Sequence, residues 1–372
     1  MTALLDELER ARSFALLGPG FHDDGAWTLV RDLRAGDDGE VGVWLATYET
    51  PGERAERFTG EVARVESPLG AGPQGGNEEA PSPASASSRG PGGAAGAERA
   101  SAALAVTLDE RGFVEGVRSI REAIAAGDVY QVNLTLRARV ERSTAGRPRG
   151  GSPGVDGGAL LERLCERGVP RFAAWVRLPD GRELVSASPE LLFEVRGHSI
   201  RAEPMKGTAP AGQQAWLEGS EKDRAELAMI TDLLRDDLNR LCEPRSVEVP
   251  CARRFLELPY AVQAVSDVTG RLRAGVGLRA VLGQLHPGGS VTGAPREAAR
   301  ALISKLEQSP RGAYCGTLGL ERAGASRFAL LIRTAERSAD GSWVYGVGGG
   351  ITWDSDEAAE LDEVRLKLGA LR

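Results

Sequence analysis

The chain is poor in the residues that most often do chemistry unaided. Among its 372 residues only three are histidine (His22, His198, His286) and four are cysteine (Cys165, Cys242, Cys251, Cys315). No histidine lies in a recognisable triad setting, which argues against histidine-driven nucleophilic catalysis. The cysteines have no CxxC spacing, so neither a zinc site nor a disulfide framework is indicated, and a reduced, cytoplasmic protein is predicted. There is no basic excess: 46 Lys and Arg stand against 53 Asp and Glu, a net charge of −7. That balance argues against nucleic acid or an anionic membrane as the main partner. No apolar run approaches the roughly 18 residues of a membrane span. Met1 to Leu17 carries early acids and no signal-peptide layout.

What the chain does have is length enough for a large core and 48 glycines, unevenly placed. From about Pro68 to Gly96 the sequence is Gly, Pro, Ala and Ser with almost no large apolar residue. Such a segment cannot bury enough surface to offset its ordering entropy. The expected organisation is therefore a short N-terminal region (1–65), a disordered Gly/Pro/Ala/Ser-rich linker or insertion (66–103) and a large catalytic unit (104–372). A second break at Ser143–Gly158 leads to a predicted helix around Leu160–Arg167. Phe113, Val117, Ile120 and Ile124 recur at spacings of four, three and four, an amphipathic helix that Gly127 ends. Tyr130, Val132, Leu134 and Leu136 alternate with polar residues, a half-buried strand. Further strands are predicted at Trp27–Leu33, Val41–Tyr48, Phe193–Val195, Ser199–Ala202, Phe328–Thr334 and Trp343–Val347, and long helices at 221–241, 296–307 and 356–370. Without repeats or regular βαβ alternation, this mixture predicts an α+β fold with large antiparallel sheets and helices outside.

Lys206 lies in Glu203-Pro204-Met205-Lys206-Gly207-Thr208, between a proline and a glycine. The run suits a side chain that must be aimed, though most such lysines are simply solvated. As a nucleophile its amine must be deprotonated, through burial or nearby cations. Asp223 and Glu226 are three apart on one predicted helix, and Glu360 and Glu363 three apart on another, with Lys367 one turn on. Two such pairs either converge on a hard cation such as Mg²⁺ or form two solvated helix faces. Pro287-Gly288-Gly289-Ser290-Val291-Thr292-Gly293-Ala294-Pro295 leads into a helix and is either a plain turn or an anion cradle. Gly348-Gly349-Gly350 lets a ligand touch bare backbone; it fits neither a GxGxxG nor a Walker pattern. Arg333 reads as a rim charge or a carboxylate grip, and Tyr314 as core packing or a ligand contact.

Taken together and in order, Gly127–Leu134, Ser188–Leu191, Pro204–Thr208, Ser220–Asp237, Pro287–Pro295, Arg311–Gly319, Ile332–Thr334 and Gly348–Lys367 resemble the chorismate-utilising enzymes, and within them the large components of the aminodeoxychorismate synthases (para-aminobenzoate synthases). The resemblance covers most of 104–372. It implies two large antiparallel sheets packed as a central sandwich with helices outside. It also implies amination of chorismate to 4-amino-4-deoxychorismate, for 4-aminobenzoate and folate supply. By resemblance, Lys206 attacks the ring and Glu190 is the acid that assists hydroxyl departure. Glu226 and Glu363 are Mg²⁺ ligands, with Asp223 and Glu360 behind them. Thr292, Tyr314, Arg333, Gly348, Gly349, Gly350 and Lys367 hold the substrate. Anthranilate synthases usually have alanine where Lys206 stands. Isochorismate and salicylate synthases have a water-activating lysine where Gln131 stands, so ammonia is the expected nucleophile. Gln263 occupies a position that is histidine in many relatives; it reads as a polar substrate contact that cannot shuttle a proton. With no convincing glutaminase in the chain, the expected ammonia source is a partner glutamine amidotransferase subunit. The alternatives are anthranilate or 2-amino-2-deoxyisochorismate synthesis, and a non-catalytic chorismate-binding protein.

Overall fold

The computed structural model describes residues 2–22, 26–37, 41–65, 104–142, 155–258 and 261–371. The Gly/Pro-rich stretch at 68–96 and most of the 143–158 break lie outside these residues. Eight helices are present among the described residues: α1 (Thr2–Arg10), α2 (Glu110–Ala126), α3 (Gly157–Leu164), α4 (Gln214–Gly219), α5 (Glu221–Leu241), α6 (Leu278–Leu285), α7 (Arg296–Leu306) and α8 (Glu357–Leu368). Their ends follow local chemistry. The side chains of Asp109, Asp156, Ser220 and Asp356 cap the free N–H groups of α2, α3, α5 and α8. Gly127, in the left-handed conformation, closes α2.

The strands are antiparallel and form one continuous ribbon. One half runs from Leu104–Thr107 through Gln131–Arg142, Trp343–Ile351, Thr334–Arg337, Glu183–Ser188, Phe172–Arg177 and Phe14–Leu17 to Trp27–Ala35. Glu56–Val65 carries the ribbon into the other half: Gly42–Ala46, Thr317–Arg322, Ala325–Leu330, Leu191–Arg196, Ser199–Ala202 and Ala261–Arg271. Met205–Pro210 and Glu248–Leu258 flank that last strand on either side. The expected two sheets are thus two layers of a single hydrogen-bonded sheet, joined through the long Trp27–Ala35 and Glu56–Val65 pair.

Side-chain alternation turns this ribbon into a sandwich. Ala15, Leu17, Phe172, Ala174 and Val176 of one half share an apolar cluster with Val43, Leu45, Leu318, Leu320 and Ala329 of the other. The alternate residues face the helices: Phe14 and Trp175 meet edge to face at 4.8 Å, in the same cluster as Leu5 and Leu8 of α1 and Leu160 of α3. Each fully buried side chain of this size contributes about 1.5–3 kcal/mol. The strand expected at Phe328–Thr334 is interrupted after Leu330, because Arg333 takes a left-handed φ of 51°. The helix expected at 160–167 begins earlier, where Asp156 accepts a hydrogen bond from the Ala159 N–H at 2.6 Å.

His286, just after α6, fastens the N-terminal region to the second layer. Its Nε2 lies 2.9 Å from the Thr47 carbonyl and its Nδ1 2.8 Å from the Thr317 hydroxyl. A carbonyl can only accept, so Nε2 carries a proton, and burial keeps the ring neutral near pH 7, with Nδ1 accepting from the Thr317 hydroxyl. Burial pushes its pKa down to about 4. The stability this neutral ring contributes is fully present above pH 6.5 and is lost as the pH falls toward 4, by up to about 3 kcal/mol. Urea midpoints measured between pH 7 and 4 are expected to fall more steeply for the wild type than for His286→Asn. Parallel curves would assign the acid sensitivity to other groups.

Candidate active site

The site is assembled where Gln131–Arg142 pairs with Trp343–Ile351, with Gly348, Gly349 and Gly350 opposite Thr135, Leu134 and Asn133. A side chain begun on Gly350 would lie 2.4 Å from the Gln131 amide nitrogen and 2.8 Å from the Lys206 Nζ. The two polar ends therefore meet over bare backbone that only glycine leaves open. Lys206 reaches this point from an irregularity in its own strand, whose register shifts between Met205 and Thr208. Gly207 takes a φ of +86°, and its Cα packs against Asp223 and Leu217.

Acids from two helices surround the amine. Glu226 of α5 pairs with Lys206 at 3.1 Å, and both side chains are largely buried. Glu363 of α8 pairs with Lys367 at 2.7 Å, and Lys367 also donates to the Gly348 carbonyl at 2.7 Å. Burial alone would raise the Glu363 carboxyl, but Lys367, Lys206 and Lys222 together hold it below its ordinary value. Lys206 thus answers to acids from both helices. Glu360 accepts from the Ser355 hydroxyl at 2.6 Å. Its pKa is raised, first by burial and then by the Glu363 charge. Among the described residues no three of His, Cys, Asp and Glu form a ready-made metal cluster; Glu226 and Glu363 are instead neutralised by lysines. The carboxylates of Glu226 and Glu363 are hard oxygen donors of the kind a divalent cation takes, and a cation there would have to displace the two lysines.

Glu190 sits at the junction of two strands, 6% exposed, and accepts from the Ser290 hydroxyl at 3.0 Å. An apolar pocket containing Ile230, Leu233, Gly288 and Gly289 adjoins it. Burial, reinforced by the Glu203 charge, pushes its pKa up to about 7, against the pull of Ser290 and Lys206. It is a carboxyl poised to give a proton near neutrality.

Two buried amides lie on strands that carry or adjoin the site. Gln131 and Gln263 are buried, and among the described residues neither Oε1 has a hydrogen-bond partner. Unpaired buried oxygens cost about 1–3 kcal/mol each, and each of these two can accept a further hydrogen bond. Gln263 stands opposite Thr208; Pro259 and Tyr260 of its run lie outside the described residues. Thr292 is fully buried and its hydroxyl donates to the Gly288 and Gly289 carbonyls at 3.2 and 3.3 Å. It closes the turn, and Ser290 is the hydroxyl of that loop that faces the acid. The Tyr314 ring packs directly on the Gly346 Cα, and burial raises its phenol well above 10. Arg333, half-buried, sits at the strand break, its carbonyl accepting from the Ala187 N–H at 3.0 Å. Sequence reasoning missed Glu203 and Arg311, both 1% exposed, since no periodicity marks a charged residue for the interior.

A profile of the family described as chorismate binding enzyme matches residues 7–372. The chain is 35% identical over 358 residues to the anthranilate synthase component 1 of Streptomyces coelicolor, covering 94% of this chain and 66% of that protein. It is 38% identical over 268 residues to the aminodeoxychorismate synthase component 1 of Klebsiella aerogenes, covering 70% of this chain and 56% of that protein. The chain thus spans less than two thirds of the length of these curated relatives. Among solved structures, the menaquinone-specific isochorismate synthase of Escherichia coli superposes with a TM-score of 0.74 at 18% identity, covering 99% of this chain and 90% of that one. Anthranilate synthase component I of Streptococcus pneumoniae gives 0.68 at 20% identity, covering 96% and 90%. At such identities the likeness speaks for the fold alone.

Proposed function

The chain belongs to the chorismate binding enzyme family, and from that premise we propose that it aminates chorismate to 4-amino-4-deoxychorismate through a covalent bond to Lys206. The observation that carries this reading is the Lys206 amine, held over Gly350 between Gln131 and the acids of two helices. Once the Lys206 ammonium has passed a proton to the paired Glu226 carboxylate, its Nζ bonds to ring carbon 2, the ring double bonds shift, and the C4–O bond breaks. Glu190 gives its proton to the departing hydroxyl, which leaves as water. Ammonia then bonds to carbon 4, the double bonds shift back, and the Nζ–C2 bond breaks, returning the amine, which takes its proton back from Glu226, while the proton shed by the nitrogen on carbon 4 recharges Glu190. Gln131 cannot act as a base toward water, which supports ammonia as the second nucleophile. Thr292, Tyr314, Arg333, Lys367, Gln263 and the backbone of Gly348–Gly350 are the groups proposed to hold the substrate.

In this reading Glu226 and Glu363 would hold a magnesium ion, with Asp223 and Glu360 as the acids behind them. Bound there, it would neutralise a carboxylate of the substrate. Glu226→Ala is expected to raise the Mg²⁺ concentration for half-maximal turnover by about 10-fold or more; an unchanged requirement would place the ion elsewhere.

Ammonia is proposed to come from a glutamine amidotransferase partner. Cys315, the one glycine-flanked cysteine, is fully buried, and burial pushes its thiol up to about 12, which unsuits it to glutaminase chemistry. A second reading, anthranilate synthesis, is favoured by the Streptomyces coelicolor relative, whose match extends over nearly the whole chain. The test is incubation with chorismate, Mg²⁺ and ammonium, with products identified by mass and by a lyase that releases 4-aminobenzoate. 4-Aminobenzoate is expected. Anthranilate would overturn the proposal in favour of the second reading, and bound chorismate without product would mark a binding protein.

A further inference from the structure

Arg311 is a fully buried cation with more hydrogen bonds than charge compensation requires. Its Nε and Nη2 donate to the two carboxylate oxygens of Glu307 at 2.8 and 2.6 Å. That fork would suffice to neutralise it. Yet Nη1 also donates to the Val291 carbonyl and Nη2 to the Asn133 carbonyl, both at 2.6 Å. The guanidinium lies 4.3 Å from the centre of the Tyr48 ring. Its own backbone is fixed as well: its N–H donates to Glu49 at 2.7 Å, and its carbonyl accepts from Arg137 at 2.5 Å.

The two carbonyls belong to the site. Asn133 is the register partner of Gly350. Val291 follows Ser290, whose hydroxyl donates to Glu190 at 3.0 Å. Three residues past Arg311 comes Tyr314, packed on Gly346. We propose that Arg311 is a positioning residue for Glu190: one guanidinium fastens the Ser290 turn to the glycine-paired strand, and thereby sets the hydrogen bond that Ser290 gives the acid. This inference rests on the reading of Glu190 as the acid.

The consequence has a sign. The Ser290 hydroxyl favours the ionised carboxylate, so losing its bond keeps Glu190 protonated to higher pH. The groups facing Glu190 are Lys206 and Glu203 through their charges and Ser290 through its hydroxyl, while Asp237, paired with Arg296, lines the same pocket. Those facing Arg311 are Glu307, Tyr48 and Cys315. Arg311→Lys keeps the charge but cannot span Glu307, Val291 and Asn133 at once. A change in that variant therefore reports position, not electrostatics.

The experiment is kcat/KM for chorismate against pH at constant free ammonia. In Ser290→Ala the alkaline fall is expected to move up by about one pH unit. Arg311→Lys should reproduce most of that shift, and the double variant should add nothing further. A wild-type profile in Arg311→Lys, or additive shifts in the double variant, overturns the proposal. Should Arg311→Lys fail to fold, Glu307→Gln, which loosens the same fork, is expected to give the same shift, and a wild-type profile there overturns it equally. A fully active Glu190→Gln would overturn the reading of Glu190 and this proposal with it. An inactive Glu190→Gln beside an unshifted Arg311→Lys would overturn the proposal alone.

Discussion

Lys206→Ala is expected to lower amination of chorismate by at least about 10³-fold, the scale on which removal of a covalent nucleophile acts, while chorismate still binds. The amine is held on a strand irregularity, beside Gln131 and over Gly350, so its removal deletes the group that bonds to the ring and leaves the glycine-lined wall in place. Binding and chemistry should therefore separate: kcat collapses, and the dissociation constant for chorismate changes by only a few-fold. The direct check is the mass of the intact protein after incubation with chorismate and Mg²⁺ without ammonia. The wild type is expected to carry an adduct equal to chorismate less water, and Lys206→Ala none. Near-normal turnover in the variant would rule out an obligatory covalent lysine. An adduct on the variant would place the nucleophile elsewhere.

How far the sequence foretells this arrangement depends on whether a feature is local. Helix α5 lies over the expected 221–241, because Ser220 supplies its cap. Helix α2 was legible from the spacing of Phe113, Val117, Ile120 and Ile124 and from Gly127. By contrast, Phe14–Leu17 and Phe172–Arg177 escaped notice. Both are buried on two faces, one toward the opposite layer and one toward helices, so they lack the polar alternation that marks a half-buried strand.

The same division runs through the site. Lys206 and the triple glycine announce themselves because each sits in a short run with its own backbone logic. The meetings between runs do not. Ser290 reaches Glu190 across 100 residues of chain, and Gly350 faces Gln131 and Lys206 through sheet register. Local sequence also cannot tell which hydroxyl of a loop points at a ligand. Ser290 and Thr292 look equivalent in the sequence, and only the folded turn directs one to the acid and the other to its own carbonyls. Arg333 shows the limit of periodicity: the alternation continues past Leu330 in the sequence, while the chain turns left-handed at 333.

Glu190→Gln is the second large effect, and it should move activity and stability in opposite directions. Burial and the Glu203 charge hold the Glu190 pKa near 7 against an ordinary 4.5. At neutral pH much of the enzyme therefore carries the proton that hydroxyl departure requires. Glutamine is nearly isosteric, and its oxygen can still accept from Ser290, but it has no acidic proton to give. The expected loss in kcat is about 10²–10⁴-fold, and the fall of kcat/KM above pH 7 should vanish from whatever activity remains. Stability changes the other way. A carboxyl whose folded pKa is raised contributes stability that is fully present below pH 4.5 and is lost as the pH rises through 7. Above that pH the wild type buries a charge that the amide does not. Glu190→Gln should therefore unfold at higher urea than the wild type at pH 8, by up to about 3 kcal/mol, and show no such gain at pH 4. Losing the acid and gaining stability together is what a site strained for catalysis predicts. A variant that lost activity and stability together at pH 8 would instead make Glu190 a packing residue, and proton donation to the departing hydroxyl would have to come from another group.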